Sequence, residues 1–200
     1  MRSQQQIRRK PTEGTARARV LETAYDLFRR HTVNTVGIDR IVAEADVAKT
    51  TLYRHFPSKD DLVVSVLRRH EDVWTTGWLE QVIARAEGPA GAKILALFDA
   101  FDEWFRRDDY QGCLFARTLL ERRSPESPVR GAAVAGLANI RALIRQLAEA
   151  ADARDPAALA LQIQLLLLGS TVAAVSGELD AARHARDAAR LLLERDGITT

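Results

Sequence analysis

Apolar residues recur at helical spacing along nearly the whole of this chain. Val20, Leu21, Ala24, Leu27 and Phe28 fall on one face at intervals of three and four, opposite Glu22, Asp26 and Arg29. No stretch alternates apolar and polar over six residues between turn signals, and β-branched residues are sparse after residue 75. Alanine- and leucine-rich runs, both strong helix formers, fill residues 131–195. The predicted fold class is all-α, with about nine helices. They run roughly over 15–30, 38–45, 48–55, 59–86, 90–107, 112–122, 128–151, 156–177 and 179–195.

Prolines and short polar residues mark the boundaries. Ser127-Pro128 and Asp155-Pro156 each place a capping residue before a proline at the first helical position. Gly88-Pro89 separates two helices. Phe56-Pro57-Ser58-Lys59-Asp60-Asp61 stops one helix and restarts another, with Ser58 and Asp61 spaced as a capping pair. Helices are short before residue 57 and long after it. This divides the chain into an expected flexible basic arm at 1–14, a three-helix domain at 15–58 and a larger helical domain at 59–200.

The stretch GIDRIVAEADVAKTTLYRHFPSKDDL, residues 37–62, carries the chemistry. Ile38, Ile41, Val42 and Ala45 face inward on one short helix, and Ala48, Leu52 and Phe56 on the next. A tight turn at 45–47 joins them. Two short helices so joined form a helix-turn-helix, whose second helix can enter a DNA major groove. The outward face of that helix presents Lys49, Thr50, Tyr53 and Arg54, with Thr51 and His55 on its flanks and no acid among them. Arginine can read guanine with two hydrogen bonds, and lysine and hydroxyl groups suit phosphate oxygens. Lys59 opens the following helix, where free backbone N–H groups also favour a phosphate.

Charge sharpens this reading. The 200 residues carry a net charge of only +2, yet residues 1–60 hold twelve Lys/Arg against seven Asp/Glu. The basic part coincides with the helix-turn-helix, as a polyanion partner requires. Apolar residues make up 46% and charged residues 28%, the composition of a globular protein. A single cysteine excludes an intrachain disulfide framework and a zinc–thiolate cluster. His31, His55, His70 and His184 show no metal-ligand spacing. There is no glycine-rich phosphate loop and no GxSxG turn, so neither an enzyme nor a cofactor is expected. The N-terminus MRSQQQIRRK lacks an apolar run behind its charges, and Gln162, Gln164, Ser170 and Thr171 interrupt the most apolar helix. No membrane segment and a cytoplasmic protein are the expectation.

Residues 15–62 resemble the DNA-binding domain of the tetracycline-repressor (TetR) family of bacterial transcriptional regulators. The resemblance is carried by AEADVAKTTLYRHFPSKDDL, in which Leu52, Tyr53, Phe56, Ser58, Lys59 and Leu62 match without a gap, and by TAYDLF at 23–28. It implies that Lys49, Thr50, Thr51, Tyr53, Arg54 and His55 meet DNA, that Tyr53 and Lys59 contact phosphate, and that Leu52 and Phe56 anchor the recognition helix. Arg8, Arg9 and Lys10 are placed for a minor-groove arm, as in some relatives. The chain departs from the family at Asp46 and Thr32-Val33, where glycine or an aromatic is usual, and at Gly37 and Ala48, where a hydroxyl cap is usual. Loss of a cap costs about 1 kcal/mol.

For the larger half the resemblance implies a ligand cavity and a dimer interface. The cavity candidates are the aromatic residues that cluster between 74 and 115: Trp74, Trp78, Phe98, Phe101, Trp104, Phe105 and Phe115, with Cys113. The last two helices carry Ala157, Ala160, Gly169, Ser170, Ala173 and Ala174 on an apolar background, which suits a two-fold helical bundle. The expected protein is a homodimeric DNA-binding repressor, with double-stranded palindromic DNA and a small-molecule effector as partners. The alternative is a helical dimeric sensor or adaptor that does not bind DNA.

Overall fold

The structure, a computed structural model, describes residues 15–200, so the Arg8–Lys10 expectation lies outside the described residues. The described residues form helices only: α1 (Ala16–Arg30), α2 (Ile38–Ala45), α3 (Lys49–His55), α4 (Lys59–His70), a π-helical stretch (Glu71–Leu79), α5 (Glu80–Arg85), α6 (Ala90–Phe105), α7 (Leu114–Glu121), α8 (Pro128–Ala150), α9 (Pro156–Val175) and α10 (Ala181–Arg195). The run from Lys59 to Arg85 is continuous, and counting it once gives nine rods at the expected positions. The π-helical stretch is the one feature the periodicity does not foretell. A side-chain Cβ at residue 77 would lie 2.9 Å from the Asp72 carbonyl oxygen, so Gly77 is what leaves room for the wider turn.

The chain divides into two compact units, one ending at Val66 and the other spanning Leu67–Thr200. The division falls inside α4 rather than at its start, because its first two turns, with Leu62, Val63 and Val66 buried, count with the first three helices.

In the N-terminal unit, Thr15 caps α1 by accepting from the Ala18 N–H at 3.3 Å. Val20, Ala24, Leu27 and Phe28 bury the inner face of α1, and Val33 and Val36 bury the connection to α2. Asp46 ends α2 in the left-handed region (φ 51°, ψ 57°), so the turn survives the missing glycine. Its N–H and that of Val47 both donate to the Val42 carbonyl. Ala48 opens α3 without a side-chain cap.

In the C-terminal unit, α8 packs against α7, α9 and α6, and α10 packs against α9 and α6. Ser127 and Asp155 cap α8 and α9 through the Arg130 and Ala158 N–H groups, ahead of Pro128 and Pro156. Asp102 on α6 pairs with Arg106 and with Arg183 of α10, and Asp99 pairs with Arg186, which ties α6 to α10 along their surfaces. By length and hydropathy alone α9 could cross a membrane. In the fold it buries Leu159, Ile163 and Leu167 against its neighbours, and its buried Ser170 and Thr171 hydroxyls donate to the Leu167 carbonyl.

Two glycines of α8 make the packing testable. A Cβ at Gly136 would stand 2.3 Å from the Phe115 ring, whereas one at Gly131 would meet nothing within 4 Å. Gly136→Ala is expected to lower stability by about 1–3 kcal/mol through overpacking. Gly131→Ala is expected to raise it by about 0.4–1 kcal/mol through helix propensity. Denaturant unfolding of the two variants checks the opposite signs.

Candidate nucleic-acid interface

A helix of seven residues cannot hold itself in water, so α3 depends on its anchors. Leu52 is fully buried and Phe56, just past the helix end, is nearly so. Two arginines of α1 lock the motif from outside. The Arg17 guanidinium lies over the Phe56 ring, 5.2 Å from its centroid. Arg19 donates from Nε to the Ala45 carbonyl and from Nη2 to that of Asp46, each at 3.4 Å, gripping the turn itself.

With Leu52 turned inward, the rest of α3 faces out. Lys49, Thr50, Tyr53, Arg54 and His55 are exposed and Thr51 is half-buried. Tyr53 leaves 41% of its surface open, a large exposure for an aromatic residue with core close by. Lys59 is half-buried at the first position of α4. There, the Ser58 hydroxyl accepts from the Asp61 N–H at 3.1 Å and donates to the Asp61 carboxylate at 2.7 Å. The structure therefore brings the α3 residues to one solvent face.

One acid reaches this face, and the pattern of α3 alone does not reveal it. Asp39, in the first turn of α2, accepts a hydrogen bond from the Lys49 Nζ at 2.7 Å. That hydrogen bond and the Asp39 charge hold the Lys49 ammonium above its ordinary range. Lys49 stays charged, but its charge is shared between Asp39 and whatever approaches α3.

The aromatic candidates of the C-terminal unit divide into two groups. Trp74, Phe101, Trp104 and Cys113 line a small cavity of about 20 Å³, room for one water molecule. Trp78, Phe98, Phe105 and Phe115 are not on its wall. Phe98, Phe105 and Phe115 are buried core side chains, Phe115 lying against Gly136 and 4.8 Å from the buried His70 ring. Trp78 packs on Trp74, Phe101 and Trp104 from behind, at 5.1–5.9 Å between ring centroids. The far wall comes from α8 and α9: Leu137, Ile140, Gln164, Leu167, Leu168 and Thr171. Gln164 is 95% buried in a mostly apolar helix. A glutamine inside such a run was a readable signal of a polar requirement.

Burial pushes the Cys113 thiol up, only partly offset by the backbone N–H groups of Ala116 and Phe115, so it is a neutral wall group. The Tyr110 hydroxyl, also pushed up by burial, donates to the Thr171 carbonyl at 2.6 Å. Glu71, in the π-helical stretch, is likewise pushed up by burial, with Asn139 donating to its Oε1 at 3.2 Å.

Comparison with known proteins places this geometry. Residues 20–66 match the family model described as bacterial regulatory proteins, tetR family. An HTH-type transcriptional regulator of Staphylococcus aureus is 38% identical over 60 residues. That stretch is 30% of this chain and spans about a third, 32%, of the curated relative. Similarity of structure reaches much further. A TetR-family transcriptional regulator from Streptomyces coelicolor superposes with a TM-score of 0.79 at 27% identity, over 90% of this chain and 95% of that one. A candidate TetR-type regulator from Streptomyces avermitilis does so with a TM-score of 0.83 at 25% identity, over 93% and 100%. Residues 20–66 thus match a TetR-type helix-turn-helix, and the chain that carries them is similar in structure to TetR-family regulators over about nine tenths of its length.

Proposed function

We propose that this protein is a transcriptional repressor. It binds a palindromic DNA operator as a homodimer and is released by a small molecule held in the C-terminal cavity. The observation that carries the reading is the exposed face of α3, with its cations, hydroxyl groups and phenol, set on two buried anchors. Arg54 and Thr50 are the base readers in this scheme, and Lys49, Tyr53 and Lys59 hold the phosphate backbone. The chemistry is binding, not catalysis, and the protein works in the cytoplasm where its operator lies.

Two recognition helices read enough bases for specificity where one does not. The second copy is supported by α9. Leu165 and Val172 are 60% and 68% exposed on its outer face, joined by Leu161 and Val175, with Leu191 on α10. A Cβ at Gly169 would meet nothing, so a second helix could approach closely there. A stripe of large apolar side chains left in water marks a protein interface.

An effector larger than one water must widen the cavity, so it binds an opened state better than the closed one. That difference in affinity is what allosteric release requires. Trp74 lies on the wall and on the same continuous helical run that begins at Lys59. Effector binding moves that run and with it the placing of the recognition helices on the groove.

Titration against duplexes selected by the protein from a random pool tests the DNA reading. Wild type is expected to bind with a steep inverse dependence on salt. Lys49→Ala is expected to weaken binding to all sequences and to reduce the log–log salt slope by about 1. Asp39→Asn is expected to tighten binding several-fold, since it frees Lys49 and removes an acid from the DNA face. If no duplex is enriched, the protein is a helical sensor or adaptor without DNA binding. Separately, Leu165→Glu with Val172→Glu is expected to convert the dimer to monomer in sedimentation velocity and to lower operator affinity at least tenfold. A variant that remains a dimer overturns the α9 interface.

A further inference from the structure

We propose that the C-terminal cavity selects an uncharged aromatic ligand that carries a hydrogen-bond donor, and that the side-chain oxygen of Gln164 accepts that donor. The inference rests on reading the cavity as an effector site and adds the chemical class of the effector.

The wall sets the shape. Trp74, Phe101 and Trp104 meet around one side with centroids 5.4–5.9 Å apart. Phe101 stands nearly perpendicular to both indoles, at 80° and 82°. Rings so arranged offer edges to the face of a flat guest and a face to its edge. Leu137, Ile140, Leu167 and Leu168 close the other side with flexible aliphatic groups that can give way. The space has room for only one water molecule, so a guest enters by parting these layers and replaces ring–leucine contacts with ring–ring contacts.

The wall also sets the charge. Among the described residues no carboxylate, ammonium or guanidinium group lines the cavity, and its thiol is kept neutral by burial. The cation beside Cys113, Arg117, donates to the Gln111 carbonyl and is balanced by the charge of Glu121. A charged guest would lose its hydration with no opposite charge to meet, which is far costlier than burying a neutral group.

The hydrogen bonds set the polarity. Gln164 donates its Nε2 to the Leu137 carbonyl at 2.6 Å, which fixes the amide so that N faces that carbonyl. Its oxygen accepts from no group among the described residues, and the side chain borders the cavity. The hydroxyl protons near it are committed. Thr171 donates to Leu167 at 2.8 Å and Tyr110 donates to Thr171. The Gln164 oxygen is left as an acceptor, and a guest that brings a donor satisfies it.

Fluorescent probes that share one skeleton test each element on the full-length chain. N-phenyl-1-naphthylamine is neutral, is built from two flat aromatic groups and carries one N–H. Its 5-sulfonate adds a negative charge away from the N–H, and its N-methyl derivative removes the donor. The neutral probe is expected to bind saturably, one per chain. The sulfonate is expected to bind at least tenfold more weakly, and the N-methyl derivative about fivefold more weakly. Gln164→Leu should weaken the parent probe about fivefold and leave the N-methyl derivative unchanged, a pattern that a general loosening of the fold would not give. Leu168→Trp should block the parent probe by filling the cavity. Equal affinity for sulfonate and parent, or for N-methyl derivative and parent on the wild-type chain, overturns the proposal, and so does unchanged binding to Leu168→Trp. Operator release is scored separately. Preferred binding of the neutral probe without DNA release keeps the ligand class and removes the effector reading. DNA release by the sulfonate in preference does the reverse.

Discussion

The burial of Leu52 and Phe56 is the constraint on which the N-terminal helix-turn-helix unit depends. Seven residues of helix with no side-chain cap have no independent stability, so their conformation is borrowed from the core. Once those two side chains are fixed, the outward direction of Lys49, Thr50, Tyr53 and Arg54 follows from helix geometry. The two α1 arginines reinforce the same anchor, one on the Phe56 ring and one on the carbonyls of the turn. Arginine suits both sites, since its flat guanidinium stacks on a ring and its several N–H groups reach adjacent carbonyls.

In the larger half, α9 is asked to satisfy two surroundings. Its inner face supplies Leu159, Ile163 and Leu167 to the core and Gln164, Leu168 and Thr171 to the cavity wall. Its outer face leaves Leu165 and Val172 in water. This explains why the helix is apolar nearly all round, a pattern that suits a helix covered on every side. In the proposed assembly the same helix joins the effector cavity to the second subunit, so a guest that displaces it acts on both.

Much of this was legible in the sequence. The proline–cap pairs fixed the starts of α8 and α9, and the spacing of Leu52 and Phe56 fixed the facing of α3. Asp46 kept a left-handed turn because its short polar side chain tolerates that backbone. What escaped is nonlocal or needs chain geometry. The Asp39–Lys49 pair joins residues ten apart on two helices, beyond any pattern within one helix. The π-helical stretch depends on whether residue 77 has a Cβ near the Asp72 carbonyl, which hydrophobic spacing does not report. Helical spacing also cannot tell an aromatic in the core from one on a cavity wall. It grouped Phe98 and Phe115 with Trp74 and Trp104, although only the latter two line the space. The polar residues that interrupt α9 argued only against a membrane helix, while their burial shows that two of them, Gln164 and Thr171, line the cavity.

A chemical footprint of the protein on a duplex it has itself selected tests the central claim most directly. The account predicts two protected patches related by a dyad, on one face of the DNA, with centres about one helical turn or a multiple of it apart. It also predicts that Arg54→Ala erases base protection in both patches equally. A single patch, patches with no dyad, or a footprint indifferent to Arg54 would contradict it.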